Sequence, residues 1–183
     1  GLKNAVELVR KQASQAIKDG CTILVLSDRG VDVDHVPIPS LLAVSALHHH
    51  LIREGTRVKV GIVLESGEPR ETHHFAALIG YGAGAVNPYL ALETIAGLVN
   101  DSRINGGLTI EQAQANYFKA LHKGVVKVMS KMGISTVQSY RGAQVFEAIG
   151  LSQALVDEYF TWTSSRIGGL TIESLEEEVL RRH

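Results

Sequence analysis

The feature that most constrains this chain is an alternation. Short apolar runs rich in β-branched residues are separated by longer stretches with helical spacing, at roughly thirty-residue intervals. Residues 22–26 (TILVL) are a continuous apolar run of strand length that reads as a strand buried on both faces, and residues 58–64 (VKVGIVL) read as a second buried strand. Residues 85–87 (AVN) and 134–137 (ISTV) read as two further, shorter strands. Before the first run, Val6, Val9, Ala13, Ala16 and Ile17 recur at helical spacing, and Gly20 closes that helix. Between the strands, Leu41, Val44, Leu47 and Leu51 form one stripe ended by Gly55, and residues 73–81 form a third helix stopped by glycines at 80, 82 and 84. Pro88 opens the next helix, and a helix through residues 143–149 follows the fourth strand. Strand–helix–strand units of this length build parallel sheets with right-handed crossovers. The fold class is therefore α/β, with parallel βαβ units. About four units fit, which is half of an eight-stranded β/α barrel or a small open doubly wound sheet.

A chain of 183 residues is one domain's length and buries roughly 70 % of its unfolded surface without a staple. Lys and Arg number 18 against 19 Asp and Glu, so no strong field gathers nucleic acid or an anionic membrane. The apolar runs fall far short of the ~20 residues a membrane span needs. A single cysteine, Cys21, excludes an internal disulfide and a thiolate metal cluster; at the start of a buried strand it reads as a small hydrophobe. A reducing, cytoplasmic setting is the expectation. The chain opens Gly1-Leu2-Lys3-Asn4 without methionine and closes Leu180-Arg181-Arg182-His183 within a helical pattern. Both ends are expected to be cuts from something longer.

Residues 101–107 (DSRINGG) form the clearest loop. Thr109 and Gln112 then have capping-box spacing, which starts a long helix near Ile110 running to about Lys131. The hexapeptide GGLTIE occurs at 106–111 and again at 168–173. It reads as one helix-start device used twice, with glycine for the turn and threonine as cap.

His48, His49 and His50 are consecutive on a helix, where neighbours stand ~100° apart and do not converge on one metal. His50 and Glu54 have i, i+4 spacing without a third ligand, and His73-His74 has the same shortfall. Residues 80–85 (GYGAGA) match a dinucleotide fingerprint as a string, but a helix precedes the glycines and a strand follows. That order aims no helix N-terminus at a phosphate, and a turn with positive φ explains the glycines. The strand ends carry the more informative pattern. Ser27, Asp28 and Arg29 follow the first strand, Glu65 and Ser66 the second, Asn87 the third, and Gln138 and Tyr140 the fourth. Sites in parallel α/β folds form at this edge. No nucleophile elbow, Ser-His-Asp order or P-loop accompanies them, so no catalytic, cofactor or metal residue is assigned.

Several stretches closely resemble the large subunit of bacterial-type glutamate synthase. They are residues 23–29 (ILVLSDR), 37–54 (PIPSLLAVSALHHHLIRE), 61–71 (GIVLESGEPRE), 73–75 with 78–92 (LIGYGAGAVNPYLAL), 127–146 (KVMSKMGISTVQSYRGAQVF) and 165–168 (SRIG). They cover nearly the whole chain in order. The resemblance is to the later part of the central domain, which lies between the glutamine amidotransferase domain and the FMN-binding barrel. It implies a parent that forms L-glutamate from L-glutamine and 2-oxoglutarate, using FMN and an iron–sulfur cluster. It implies that residues 1–160 are the half-barrel part of that domain and 161–183 a closing segment and helix leading to the next. On this reading the chain joins the glutaminase and synthase sites and helps wall the ammonia tunnel. The strand-end residues would contact neighbouring domains of the same large subunit, which are its partners; no nucleic acid and no membrane are expected. The chain would be inactive alone and hold no cofactor: residue 1 is glycine where the amidotransferase has its cysteine, and one cysteine cannot hold an iron–sulfur cluster. Trp162 stands where the family pattern has glycine, which alters a tight turn and leaves an exposed ring free to mediate association. The alternative is a stand-alone half-barrel enzyme or binding module that closes by homodimerisation.

Overall fold

The computed structural model describes residues 1–104 and 106–183. Asn105 of the expected 101–107 loop lies outside the described residues. The first helix, α1 (Leu2–Lys18), buries Leu2, Val6, Arg10 and Ala13, one position per turn, and ends where Gly20 takes a φ of +92°. Strands β1 (Ile23–Ser27), β2 (Gly61–Glu65) and β3 (Ala85–Asn87) form one parallel sheet in that order. Helices α2 (Ser40–Arg53) and α3 (Thr72–Gly80) make the two crossovers.

Helix α2 is buried on three sides, and this explains its nearly uncharged sequence. Leu42 and Ala46 pack on Leu2 and Val6 of α1 and on residues 155–160. Leu47 and Leu51 meet Ala13, Leu24, Val60 and Ile62. Val44 meets Leu64, Leu78 and Ala83. One helix therefore feeds all three core clusters among the described residues.

The strands differ from expectation in one respect. Leu24, Leu26, Ile62 and Leu64 face the helices, but Ile23 and Val25 on the other face of β1 are 63 % and 60 % exposed. The continuous apolar runs predict two covered faces, and the described residues cover one. The second strand also starts later than expected, because Arg57–Lys59 forms a 3-10 turn and leaves Val58 exposed.

After β3 come α4 (Tyr89–Asn100) and α5 (Ile110–Lys131), the latter packed on α3. The expected strand at 134–137 is absent. Thr136 instead accepts a hydrogen bond from the Ser139 amide at 3.2 Å and starts a four-residue helix, α6 (Val137–Tyr140). A local cap outweighs β propensity here. The expected helix at 143–149 is likewise replaced by β4 (Glu147–Leu151). It pairs in parallel with β5 (Ser164–Leu170) across α7 (Gln153–Tyr159) and precedes α8 (Ile172–Arg182). This second sheet is irregular, with register shifts on both sides of Ile149 and with Gly150 and Gly169 at positive φ. Its two strands pair across residue 160, the expected end of the half-barrel part. Among the described residues the molecule is thus α/β with only parallel pairing, in a three-stranded and a two-stranded sheet.

Candidate functional site

The carboxyl ends of β1, β2 and β3 end in register. Ser27 pairs with Glu65, and Glu65 with Asn87, so three polar side chains form one row across the sheet. Ser27 Oγ donates to Glu65 Oε2 at 2.6 Å, and Asn87 Nδ2 to Glu65 Oε1 at 3.3 Å. Arg29 Nε reaches the same Oε1 at 2.7 Å, and its Nη1 lies 3.4 Å from Glu93 on α4. The Ser27 hydroxyl and then the Arg29 guanidinium hold the Glu65 carboxyl below its ordinary range.

Asp28 closes a second ring of bonds. It accepts from Ser66 Oγ at 2.6 Å and from the Gly67 amide at 3.1 Å. Ser66 is fully buried, so this acceptor settles a hydroxyl cut off from water. Tyr89, the first residue of α4, completes the floor. The Arg29 guanidinium lies 4.1 Å from its ring centroid, a cation–π distance. Burial, with the Asp28 carboxylate beside it, pushes the Tyr89 hydroxyl up to about 12. A Cβ on Gly67 would stand 3.3 Å from that hydroxyl, so glycine is what lets the loop approach.

Beside this row opens a cavity of about 510 Å³ between α1, β1 and α2. Ser27, Asp28 and His35 line it among mostly apolar neighbours such as Val9, Ala13, Leu24 and Leu47.

The structure therefore brings together Ser27, Asp28, Arg29, Glu65, Ser66 and Asn87. It does not bring Gln138 and Tyr140 to that edge. Both lie on α6, not at a strand end. Gln138 is exposed, while Tyr140 is fully buried and donates to the Ala76 carbonyl of α3 at 2.9 Å. The misplaced fourth strand is the cause. Tyr89, Gly67 and Glu93 are members the sequence reading passed over. Tyr89 follows Pro88 directly after β3, and Glu93 stands one turn later; that was the available signal.

His48, His50 and His74 have local partners. His48 accepts from Arg57 Nε at 2.9 Å, His50 Nε2 meets Ser14 Oγ at 2.8 Å, and His74 completes a capping box with Glu71 at the start of α3. Gly82 takes a φ of +116° and the Gly84 amide bonds Ile62 O at 2.7 Å, so these glycines turn α3 into β3. Cys21 is exposed, not buried as expected.

A family described as the glutamate synthase central domain matches residues 1–152. The chain is 56 % identical over 172 residues to the glutamate synthase [NADPH] large chain of Bacillus subtilis, covering 94 % of this chain and 11 % of that protein. It is 47 % identical over 189 residues to the glutamate synthase [NADH] of Saccharomyces cerevisiae, covering 100 % and 9 %. To the ferredoxin-dependent glutamate synthase of Pyropia yezoensis it is 46 % identical over 192 residues, covering 99 % and 12 %. The chain thus spans about a tenth of these relatives. Among solved structures, a mutant flavocytochrome b2 with pyruvate bound shares the fold at a TM-score of 0.53 and 16 % identity, covering 98 % of this chain and 43 % of that one. With a family match over residues 1–152 and relatives this similar over almost its whole length, the chain belongs to the glutamate synthase central domain family.

Proposed function

We propose that this chain is a linking and conducting piece of a glutamate synthase, not a site of its chemistry. In the parent, which forms L-glutamate from L-glutamine and 2-oxoglutarate, it spaces the glutaminase and FMN domains and walls part of the ammonia route. The observation that carries this is the apolar cavity of about 510 Å³ beside a strand-end row whose polar groups already bond one another. Neutral ammonia passes an apolar wall without being protonated, and the carboxyl groups of Glu65 and Asp28 beside it already have partners in Ser27, Arg29 and Ser66. The other domains of the large subunit are its partners, residues 161–183 lead toward the next of them, and the setting is cytoplasmic. Among the described residues no helix is long and apolar enough to cross a membrane.

The donor set at this edge does not suit the parent's cofactors. Asp28, Glu65 and Glu93 oppose a flavin phosphate, and among the described residues at this edge only Arg29 is there to receive it. Cys21 is the sole thiol, so cluster ligation falls to other parts of the parent. The uncovered β1 face, with Ile23 and Val25, is where more of the same domain packs, and the isolated chain self-associates through it.

The test uses the full-length enzyme. Arg29→Ala with Glu65→Ala is expected to lower the glutamate formed per glutamine hydrolysed while glutamine hydrolysis itself continues. An unchanged ratio would count against the conduit.

A further inference from the structure

At the opposite end of the sheet from the strand-end row, the second half of α2, the end of α3 and residues from 140–146 and 161–163 enclose a pocket of about 300 Å³. Its walls are flat. Tyr81 stacks on Phe146 with centroids 5.8 Å apart, and Trp162 borders the opening, 80 % exposed. Gln144 and Trp162, both on the border, hold φ angles of 57° and 67°. Residues with side chains avoid that region, and such strain concentrates where ligands are clamped.

His48 stands in this pocket and is only 9 % exposed. Arg57 Nε can only donate, so the 2.9 Å bond to His48 Nδ1 makes that nitrogen the acceptor. A Cβ on Gly82 would overlap the same edge of the ring, so glycine leaves the imidazole its place. Burial, together with Arg57, His49 and Arg141, pushes the imidazole down to about 4, so the ring is neutral. A neutral ring that accepts at Nδ1 carries its proton on Nε2. That N–H has no partner among the described residues, and it is not sealed from solvent. No carboxylate lines the pocket among the described residues, whereas Arg53 does, with its Nη2 on the Asp157 and Glu158 carbonyls and Thr161 Oγ1 and its Nη1 3.7 Å from the Glu158 carboxylate.

We propose that this pocket is a binding site for a flat aromatic carboxylate. The ring lies against Tyr81, Phe146 and Trp162, and the carboxylate accepts the Nε2–H of His48 in the field of Arg53 and Arg57. The volume fits a one- or two-ring compound. Nothing in this site depends on the strand-end row or on the conduit reading.

Trp162 is the chain's one tryptophan, so its fluorescence reports the site directly. Benzoate titrated into the 183-residue chain is expected to quench or shift that emission saturably. Benzyl alcohol, which lacks the charge, and cyclohexanecarboxylate, which lacks the ring, should bind about ten-fold more weakly or worse. His48→Asn keeps an acceptor opposite Arg57 but is shorter and takes away the donor at the Nε2 position, and should weaken benzoate about ten-fold. Should that variant fail to fold, Trp162→Gly, followed by calorimetry, removes one wall and should weaken benzoate in the same direction. No saturable response to benzoate overturns the proposal, as does equal affinity for cyclohexanecarboxylate or unweakened binding in the variant that folds.

Discussion

Arg10 and Glu158 join the two ends of the chain, with Nη1 2.6 Å from Oε1 across 148 residues of sequence. Arg10 is only 4 % exposed, and it also donates to the Ala46 carbonyl of α2 at 3.3 Å and lies over the Tyr159 ring at 4.9 Å. One guanidinium thus ties α1 to α2 and α7. Arg10→Ala should lower stability by about 3 kcal/mol in urea denaturation, since the Glu7 and Glu158 carboxylates and the Ala46 carbonyl all lose the same buried donor, and Arg53 remains only to Glu158. Arg10→Lys should recover less than half of that, because an ammonium cannot reproduce the planar fork. A loss under about 1 kcal/mol for the alanine variant would mean the tie is a surface pair in effect.

At the strand ends the sensitive residue is Asp28, not the more exposed Arg29. Asp28→Ala leaves the buried Ser66 hydroxyl and the Gly67 amide without their acceptor. The expected cost is about 2 kcal/mol, read as a lowered melting temperature. Asp28→Asn keeps one acceptor oxygen and should cost about half as much. Arg29→Ala, at a half-exposed site, should cost less than about 1 kcal/mol.

What was legible in the sequence was local. Thr109 and Thr171, in the two GGLTIE copies, both cap helices and accept from the amides of Gln112 and Ser174, because a cap needs only its next three residues. The glycines of the copies diverge: the first pair lies in a loop, while Gly168 and Gly169 lie within β5. The strands β1 to β3 were readable from their apolar runs, and with them the six residues that meet at their ends. What was not readable depends on distant partners. Residues 147–151 become a strand only because 164–170 lie beside them, and Tyr140 is placed by the Ala76 carbonyl 64 residues away. Likewise, the apolar runs gave no sign that one face of β1 would stay uncovered among these residues.

Acid should destabilise the fold well above the range in which carboxylates titrate. Burial, then Arg57, His49 and Arg141, hold His48 at about 4; burial, then Arg53 and Arg10, hold His49 at about 4. The ordinary value is 6.5. Unfolded imidazoles therefore take up protons from about pH 6.5 downward while the folded ones stay neutral to about pH 4. Stability is complete above that window, falls through it, and levels off below it as far as these two groups are concerned. The loss from His48 alone is on the order of 3 kcal/mol. Denaturation at pH 7, 5.5 and 4 should show it, and His48→Asn should flatten the slope by about half. The carboxyl of Glu65, held low, adds its own loss only below its ordinary 4.5. A pH-independent stability between 7 and 5 would show that these rings are hydrated and protonate freely.

Trp162 separates stability from binding. Its φ of 67° is a region glycine enters freely and a tryptophan does not, and its ring is 80 % exposed, so little packing offsets the strain. Trp162→Gly should therefore stabilise the chain by about 1 kcal/mol, or a melting temperature a few degrees higher. The entropy of a glycine in the unfolded state works against this gain and keeps it small. If the same substitution weakens benzoate while raising the melting temperature, the tryptophan is held in strain for the pocket it borders, as expected where activity and stability are traded. A lowered melting temperature would instead mean that the exposed ring packs on its neighbours more than its accessibility indicates, and that residues 161–163 rely on it to close the turn before β5.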